Sequence, residues 1–211
     1  MAQLILASQS PRRQELLASL GVEFDIFAAD IDESVLPQEQ AEAYVQRLAL
    51  EKAKAVLAAA PTFKQTTEQA LEQSTEQRWV LGSDTAVVVD GKILGKPVDQ
   101  DDFYSMMQLL SGRSHCVLTA IALVSNHHVY SDCVSTEVCF SHLTESQIKA
   151  YWHTGEPLDK AGGYGIQGLA SVFIEQITGS YSAVVGLPIH QTAKLLTQAD
   201  IPLWHGELQL T

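Results

Sequence analysis

The residues best suited to chemistry lie near the start of the chain, in the stretch Leu-Ile-Leu-Ala-Ser-Gln-Ser-Pro-Arg-Arg at positions 4–13. Its short apolar run predicts a buried strand, and Ser10 followed by proline is typical of a helix N-terminus. Ser8 and Ser10 therefore fall in a strand-to-helix turn, where free backbone N–H groups favour an anion. Arg12 and Arg13 follow in the first helical turn, where positive side chains are unfavourable without a negative partner. This arrangement indicates a bound phosphate chain, with surface carboxylates as the alternative partners.

Two lysines could add to this positive charge. Lys52 falls on the apolar stripe of a helix predicted over residues 38–60, four residues after Leu48. A charge on a buried helix face needs a partner or a water-filled cleft, although snorkelling at the edge of the stripe is the alternative. Lys96 stands in a tight turn between a glycine and a proline, directly after a predicted hairpin. Together with the two arginines, these lysines carry enough charge to balance a triphosphate.

Carboxylates provide the candidate acid–base and metal-binding groups. Asp84 follows an apolar strand predicted at residues 79–82, a position at which α/β sheets commonly present ligand-binding side chains. A carboxylate there could hold Mg²⁺ or activate water. Mg²⁺ typically takes one or two protein carboxylates together with phosphate oxygens, and the second could come from Asp30, Asp32 or Glu33. We favour Glu33, and we interpret Asp30 as part of a solvated loop.

A glycine-rich loop from Lys160 to Gly168 contains the letters G-x-G-x-x-G. We reject a dinucleotide-binding fingerprint, because no apolar strand precedes the run and no acid stands about 20 residues later. The loop is better interpreted as one that approaches a ligand, with the ring of Tyr164 and the amide of Gln167 presented to it. An amide can donate and accept together, as the edge of a uracil or thymine base requires. A purely structural glycine turn is the alternative.

These candidates need a scaffold of mixed strands and helices. Strands are predicted at residues 4–7, 22–28, 79–82, 86–89, 92–94, 114–125, 129–140, 171–177 and 181–185. Helices are predicted at residues 11–20, 38–60, 99–110 and 144–155, with a last helix after Pro188. Because the two element types do not alternate strictly, the sequence favours an α/β fold with a mixed, curved sheet flanked by helices. Residues 61–78 are rich in Gln and Thr without a clear period, which predicts a polar surface insertion.

Overall composition excludes several classes of function. The formal net charge of −12 argues against extended DNA or RNA binding, which needs a broad basic surface, but not against a small nucleotide. No apolar run approaches the roughly 20 residues of a membrane span, and no secretory signal is visible. Cys116, Cys133 and Cys139 form no C-x-x-C pair and are interpreted as reduced core residues. A cytoplasmic enzyme fits these observations best.

The motifs together resemble the Maf family of nucleoside triphosphate pyrophosphatases, in the family's order and over nearly the whole chain. The matching segments are Leu6–Ser8, Ser10–Arg13, Glu51–Ala53, Gly82–Thr85, Gly95–Pro97 and Lys160–Gly168. The run Tyr-Gly-Ile-Gln-Gly at positions 164–168 is similar to that of the branch acting on dTTP and UTP, whereas the branch acting on 7-methyl-GTP carries a Glu-containing run. The insertion at residues 61–78 is longer than the family pattern but lies between the motifs.

This resemblance implies a single domain over residues 1–211, with two lobes, a central cleft and a fold like that of the inosine-triphosphate pyrophosphatases. It implies hydrolysis of dTTP and UTP between the α- and β-phosphates, with Mg²⁺ or Mn²⁺ as cofactor. The products would be the nucleoside monophosphate and pyrophosphate, in a housecleaning role that prevents incorporation of unwanted nucleotides. Modified pyrimidine nucleotides are further candidate substrates, and homodimers are common among such proteins.

The resemblance also implies roles for individual residues. Asp84 matches the family's general base, and our mechanistic hypothesis has Asp84 and Glu33 hold the metal. Base preference is assigned to Arg12, Thr85 and Gln167. Further substrate-binding positions are Ser8, Arg13, Lys52 and Lys96, to which the turn geometry adds Ser10. Two alternatives stay open: a non-catalytic nucleotide-binding regulator of cell division and septum formation, and a phosphatase that releases orthophosphate.

Overall fold

A mixed sheet forms the centre of the computed structural model, which describes residues 3–59 and 78–208. The strands are β1 Gln3–Leu6, β2 Asp25–Ile26, β3 Arg78–Val89, β4 Lys92–Leu94, β5 Ser114–Val124, β6 Val129–Phe140 and β7 Ile174–Thr178. Their order is β2-β1-β3-β5-β6-β7, with β4 also paired to β3. β1 runs parallel to β2 and β3, and the other pairs are antiparallel. The predicted mixed sheet is confirmed.

Helices flank this sheet, as the sequence predicted. They are α1 Pro11–Ala18, α2 Ala41–Ala59, α3 Gln100–Leu110, α4 Glu145–Trp152, α5 Tyr181–Val185 and α6 Ile189–Gln198. The cap residues behave as expected at two of them: Asp99 accepts from the backbone of Asp102 at the start of α3, and Thr144 forms a full capping box with Gln147 at α4. No helix in the described ranges is long and apolar enough to cross a bilayer.

Alternation along β3 sends successive side chains to opposite faces of the sheet. On one face, Trp79 packs in a buried cluster with residues of α1 and α6. Farther along that face, Val87 belongs to a second cluster with α3 and α4, built around the fully buried Phe103. Between these two clusters the same face is polar, since its residues are Ser83 and Thr85. This polar interval lies where the two apolar clusters meet, and its hydroxyls bond neighbouring groups, as Ser83 does by donating to the carbonyl oxygen of Gly186.

Helix α2 covers the other face of β3 at very close range. A Cβ at Gly82 would collide with the carbonyl oxygen of Ala49, so only glycine allows the helix to approach this far. Ala49 and Ala53 of α2 are both buried against the strand. This close contact brings Lys52, the residue next to Ala53, within reach of Asp84 on β3.

One edge of β3 is interrupted between two partners. β1 pairs with Arg78–Leu81 and β4 pairs with Val87–Val89, while β5 occupies the opposite edge without a break. Within the described residues, no strand pairs with residues 82–86 on the β1 side. Side chains from both faces of β3 can therefore reach the same opening in the sheet.

Several predicted strands were wrong in extent or type. The strands at 79–82 and 86–89 are one continuous strand, because β5 pairs with the polar segment between them. Residues 181–185 form α5 instead of a strand, with Ser180 accepting from the backbone of Ala183 as its cap. The strand predicted at 171–177 begins only at Ile174, after a 3₁₀ turn, and that predicted at 22–28 is reduced to β2.

The structure bears on two other predictions only in part. The insertion predicted at residues 61–78 lies outside the described residues, except for Arg78, which begins β3. Cys116, Cys133 and Cys139 are free, as expected, but each is partly exposed on β5 or β6. The prediction that these cysteines belong to the core is therefore confirmed only in part: Cys133 packs against the buried cluster that includes Ala120 and Ala122, but none of the three is fully buried.

Candidate active site

The opening beside β3 leads into a cleft of about 640 Å³. Its walls come from the β1–α1 turn, α2, the middle of β3, the turn after β4 and the loop at residues 159–167. Every residue predicted to bind substrate or metal lines this cleft: Ser8, Ser10, Arg12, Arg13, Glu33, Lys52, Asp84, Thr85, Lys96 and Gln167. Asp30 and Asp32 do not line it, in keeping with the preference for Glu33 as the second acid.

Lys52 joins the two acids that the sequence singled out. Its Nζ lies 2.6 Å from Asp84 Oδ1 and 2.6 Å from Glu33 Oε1. Asp84 is buried, whereas half of the Glu33 side chain is exposed to the cleft. The prediction that a lysine on a buried helix face needs a partner is confirmed, because Lys52 has two.

Burial and charge act differently on these two carboxyl groups. Burial raises the pKa of Asp84, and the positive charge of Lys52 opposes that shift without cancelling it. Burial also acts to raise the pKa of Glu33, but the hydrogen bond and charge of Lys52, together with the charges of Lys96 and Arg13, outweigh burial and lower this pKa. A carboxylate with a raised pKa is a better proton acceptor than an ordinary aspartate. Of the pair, Asp84 is therefore the better candidate for a general base.

Arg13 is fixed from three sides. Its Nε donates to the carbonyl oxygen of Gly186 at 2.9 Å, its Nη2 to Thr85 Oγ1 at 3.2 Å and its Nη1 to Ser8 Oγ at 3.4 Å. Burial lowers the pKa of Arg13, and the carboxylate of Asp84 opposes this shift. The guanidinium stays charged, since arginine does not deprotonate in proteins. A rigid positive charge therefore stands at the base of the cleft.

Thr85 lies in the middle of a hydrogen-bond chain that runs from Arg13 to α5. Its Oγ1 lies 3.0 Å from Thr119 Oγ1, and Thr119 in turn donates to the carbonyl oxygen of Ala183 at 2.7 Å. Since the Thr119 proton is used there, Thr85 donates to Thr119 and accepts from Arg13. The hydroxyl of Thr85 is thus committed to holding the arginine in place.

The β1–α1 turn presents a helix start without a side-chain cap. The predicted helix start is confirmed, with Ser10 at the N-cap position and proline directly after it, but the Ser10 hydroxyl makes no capping bond. Instead, the N–H of Ser10 donates to Ser8 Oγ at 3.1 Å, which leaves the hydroxyl of Ser10 beside the cleft. No acid stands in the first turn of α1. This positive helix end next to Arg12 and Arg13 suits an anionic ligand.

The remaining predicted residues lie toward the rim of the cleft. Lys96 and Gln167 are exposed and Arg12 is half-buried. Tyr164, whose ring was expected to face the ligand, lines the cleft but is itself buried, with its Oη 2.7 Å from His115 Nε2. Its hydroxyl is therefore used inside the fold, while the amide of Gln167 faces outward.

Sequence reasoning missed the residues that hold Glu33 in position. Tyr44 of α2 donates from its Oη to the carbonyl oxygen of Glu33 at 3.0 Å, and Arg47 donates to the carbonyl oxygen of Ser34 at 3.0 Å. Arg47 also forms a two-pronged ion pair with Glu39 at 2.6 and 2.7 Å. The spacing of Tyr44 and Arg47, three residues apart on one helix face, was the only available signal.

The donor chemistry of the cleft fits a hard divalent cation that is shared with phosphate. Asp84 and Glu33 each place a carboxylate oxygen 2.6 Å from the Lys52 ammonium, so a divalent cation held by both acids would take the place of that ammonium. Among the described residues, no group of three or more His, Cys, Asp or Glu side chains could hold a metal. Mg²⁺ is commonly bound by one or two protein carboxylates, with substrate phosphate oxygens completing its coordination, whereas zinc is usually bound by histidine and cysteine.

The fold is a mixed α/β sheet, and cations, a helix start and a carboxylate pair surround one opening, an arrangement that suits a phosphate ligand. The chain belongs to the family of Maf-like proteins, whose model matches residues 3–199. It is 54% identical, over 93% of its length and 88% of the relative, to a protein of Colwellia psychrerythraea named dTTP/UTP pyrophosphatase. A protein of the same name from Pseudoalteromonas atlantica is 50% identical, over 94% of this chain and 97% of the relative.

Among solved structures, the Ham1 protein of Staphylococcus aureus is similar to this protein over 65% of this chain and 71% of the Ham1 chain. The sequence identity is 11% and the TM-score is 0.44.

Proposed function

We propose that this protein is a nucleoside triphosphate pyrophosphatase that hydrolyses dTTP and UTP to the nucleoside monophosphate and pyrophosphate. The observation that carries the proposal is the position of Asp84, a buried carboxylate of raised pKa that faces a cleft lined by Arg13, Lys52 and Lys96. The names of the relatives support the reaction and the two substrates. They support catalysis over the alternative of a non-catalytic regulator of cell division.

Asp84 and Glu33 are the residues that would hold a divalent cation, Mg²⁺ or Mn²⁺. When bound, such a cation neutralises phosphate charge and polarises the phosphorus–oxygen bonds. Glu33 suits this task because Lys52 keeps its pKa low, so that the carboxylate stays ionised. The side chains of Tyr44 and Arg47 donate to backbone carbonyl oxygens of the Glu33 segment. These hydrogen bonds hold that segment against α2 and within reach of Asp84.

In the proposed reaction, Asp84 orients a water molecule and accepts its proton. The water oxygen forms a bond to the α-phosphorus, and the bond from that phosphorus to the oxygen bridging it to the β-phosphorus breaks. The bonding electrons leave with pyrophosphate. Arg13, Lys52 and Lys96 balance the charge on the phosphates, which matters because phosphoryl transfer depends mainly on positioning and electrostatics.

Selection of the base is assigned to the rim of the cleft. The amide of Gln167 can donate to a carbonyl and accept from the ring N–H of uracil or thymine. We assign Arg12, half-buried beside the rim, to the same selection, and Thr85 to an indirect part through Arg13, since its hydroxyl is already bonded. A cytoplasmic location, the absence of DNA or RNA partners, a homodimer and a role in removing modified pyrimidine nucleotides stay predictions.

Product analysis tests the proposal directly. The protein is incubated with Mg²⁺ or Mn²⁺ and with dTTP, UTP, CTP, GTP or 7-methyl-GTP. We expect pyrophosphate with TMP or UMP, and a fall in kcat of about 10²–10⁴-fold in Asp84→Asn, because a general base contributes that much. Asp90→Asn is the matched control, since Asp90 lies in the exposed turn after β3 and pairs with Arg113 outside the cleft.

Each other outcome identifies a different function. Pyrophosphate released chiefly from 7-methyl-GTP would keep the reaction and overturn the base assignment. Orthophosphate as the product would identify a phosphatase. Saturable nucleotide binding without turnover would favour the regulator.

A further inference from the structure

The loop that carries Gln167 is fastened from behind by two residues that do not line the cleft. Tyr151 is the penultimate residue of α4 and is buried, and Glu156 opens the 3₁₀ turn after it. Tyr151 Oη donates to Glu156 Oε1 at 2.8 Å. The two side chains therefore act as one hydrogen-bonded unit, which we call the Tyr151–Glu156 clamp.

The clamp receives backbone N–H groups from both sides of Gln167. On the N-terminal side, the N–H of Gly165 donates to Tyr151 Oη at 3.3 Å. On the C-terminal side, the N–H groups of Leu169 and Ala170 donate to Glu156 Oε2 at 2.8 Å and to Oε1 at 3.4 Å. Gln167 lies at the centre of the segment that these bonds close, two residues from Gly165 and two from Leu169.

Two glycines of the loop make this approach possible. A Cβ at Gly168 would collide with the carboxylate of Glu156, and one at Gly165 would lie 2.8 Å from Lys160 Cε. The G-x-x-G spacing that fails as a dinucleotide motif thus corresponds to close packing of the loop backbone on the side chains of Glu156 and Lys160. Lys160 adds a third tie, because its Nζ donates to the carbonyl oxygen of Glu156 at 2.7 Å.

We propose that Tyr151 and Glu156 are positioning residues that fix the backbone around Gln167 and thereby determine selection of the base. The inference rests on the proposed function of Gln167 in reading the base. A side chain on a free loop can shift to pair with more than one base, as flexible binding surfaces re-pack around different ligands. Fixing the backbone on both sides of residue 167 limits such shifts, so that a base whose donors and acceptors do not match the amide is left with an unpaired group.

The hydrogen-bond donors around Glu156 favour its ionised carboxylate. Burial acts to raise its pKa, but the N–H groups of the loop and the hydroxyl of Tyr151 stabilise the anion and lower the pKa overall. A carboxylate accepts from every one of these donors, whereas an amide would turn an N–H₂ group toward some of them. Glu156→Gln therefore changes the clamp without changing its size.

The test compares kcat/KM for UTP with that for CTP in wild type, Tyr151→Phe and Glu156→Gln. We expect the UTP preference to fall about tenfold in each variant, equivalent to about 1.4 kcal/mol, through a higher KM for UTP. The kcat/KM for CTP, the poorer substrate, should stay within about threefold of the wild-type value, since Asp84 is untouched. The double variant should be no worse than Glu156→Gln alone, because both changes break the same unit.

Matched controls separate positioning from general stability. Glu145→Gln removes a carboxylate of α4 that pairs with Lys149 at the surface, and Tyr104→Phe removes a hydroxyl from a partly buried tyrosine that packs against the same apolar cluster as Tyr151. Both should keep the wild-type preference. Tyr151→Phe keeps the ring contacts with Phe103 and Phe173, so it should fold even where Glu156→Gln does not.

The two proposals fail in different ways. If wild type releases no pyrophosphate from UTP or dTTP, the proposed function is wrong. If wild type prefers UTP over CTP and Tyr151→Phe keeps that preference, the clamp does not set selectivity and the inference is overturned. A fall in melting temperature with an unchanged preference would also overturn it, since it would reveal a structural role alone.

Discussion

The Nζ atom of Lys52 lies 2.6 Å from Oδ1 of Asp84, across the closest contact between α2 and β3. The pair forms because Gly82 lets the helix backbone approach the strand, two residues before the aspartate. The same ammonium also contacts Glu33. Lys52 thus stands between the two carboxylates that we expect to hold a cation, and it neutralises them when the cleft holds no ligand.

Lys52→Met should make the two acids more available to a metal ion. Methionine keeps most of the side-chain volume but removes the charge, so Asp84 and Glu33 lose their internal counterion. We expect Mn²⁺ to bind several-fold more tightly without nucleotide, measured by electron paramagnetic resonance, and kcat to fall. Lys54→Met, on the exposed side of α2, is the control. Weaker or unchanged Mn²⁺ binding in Lys52→Met would argue against Asp84 and Glu33 as the cation ligands.

Gln167→Glu should reduce the preference for uracil and thymine. The new carboxylate can accept but not donate, so the base carbonyl loses its partner, and we expect a loss of selectivity on the order of 10–100-fold. The measurement is kcat/KM for UTP, dTTP and CTP. Gln9→Glu adds the same charge at another exposed position of the cleft and should slow all triphosphates in parallel. Parallel losses in Gln167→Glu as well would show that residue 167 does not read the base.

Gly82→Ala should destabilise the fold more than an ordinary glycine substitution. Its Cβ would collide with the carbonyl oxygen of Ala49, and overpacking of this kind costs about 1–3 kcal/mol. Urea unfolding measures the change in the free energy of unfolding. Gly95→Ala serves for comparison, since nothing lies within 4 Å of the Cβ it would add. Equal stability of the two variants would mean that α2 can withdraw from β3 without cost.

His115 should make the protein less stable in mild acid. Burial lowers the pKa of His115 to about 4, whereas the unfolded chain has a histidine pKa of about 6.5. Between these values the unfolded state binds a proton that the native state does not, so this residue's contribution to stability falls as the pH falls from about 6.5 to about 4. His115→Phe should lower stability at neutral pH, because Tyr164 loses its hydrogen bond.

The decisive readout for His115 is the pH dependence. The difference in unfolding free energy between wild type and His115→Phe, measured in urea, should shrink steadily between neutral pH and about pH 4. A difference that is constant over this range would show that His115 does not titrate as its burial implies.

The sequence predicted that Asp84 would face a ligand-binding opening, but for a partly wrong reason. Asp84 was expected just after the end of a strand, because the polar run Ser83–Thr85 interrupts the apolar pattern. In the structure the run lies in the middle of β3, since β5 pairs with it throughout. The side chain still reaches the cleft, because β1 ends and β4 begins on either side of it. Which strand edges are covered depends on partners distant in the chain, and a local pattern does not contain that information.

Local signals worked best where a side chain bonds its own helix, as at Thr144 and Asp99. They failed at residues 181–185, whose apolar character suits a strand. There Ser180 caps a short helix instead, and the helix supplies the carbonyl oxygen of Ala183 to Thr119. The Tyr151–Glu156 clamp could not be predicted either, since it depends on how the glycine loop folds back on α4.

The interruption along the edge of β3 also bears on aggregation. An open strand edge carries unpaired backbone groups that can recruit a strand from another molecule. Here the open edge is only residues 82–86, which is about 17 Å at the usual rise per residue, and β1 and β4 close it at both ends. A foreign strand in extended conformation would run into one of these neighbours. Among the described residues, this gap is therefore wide enough for a small molecule but too short for a foreign extended strand, which makes it a poor seed for intermolecular β-sheet.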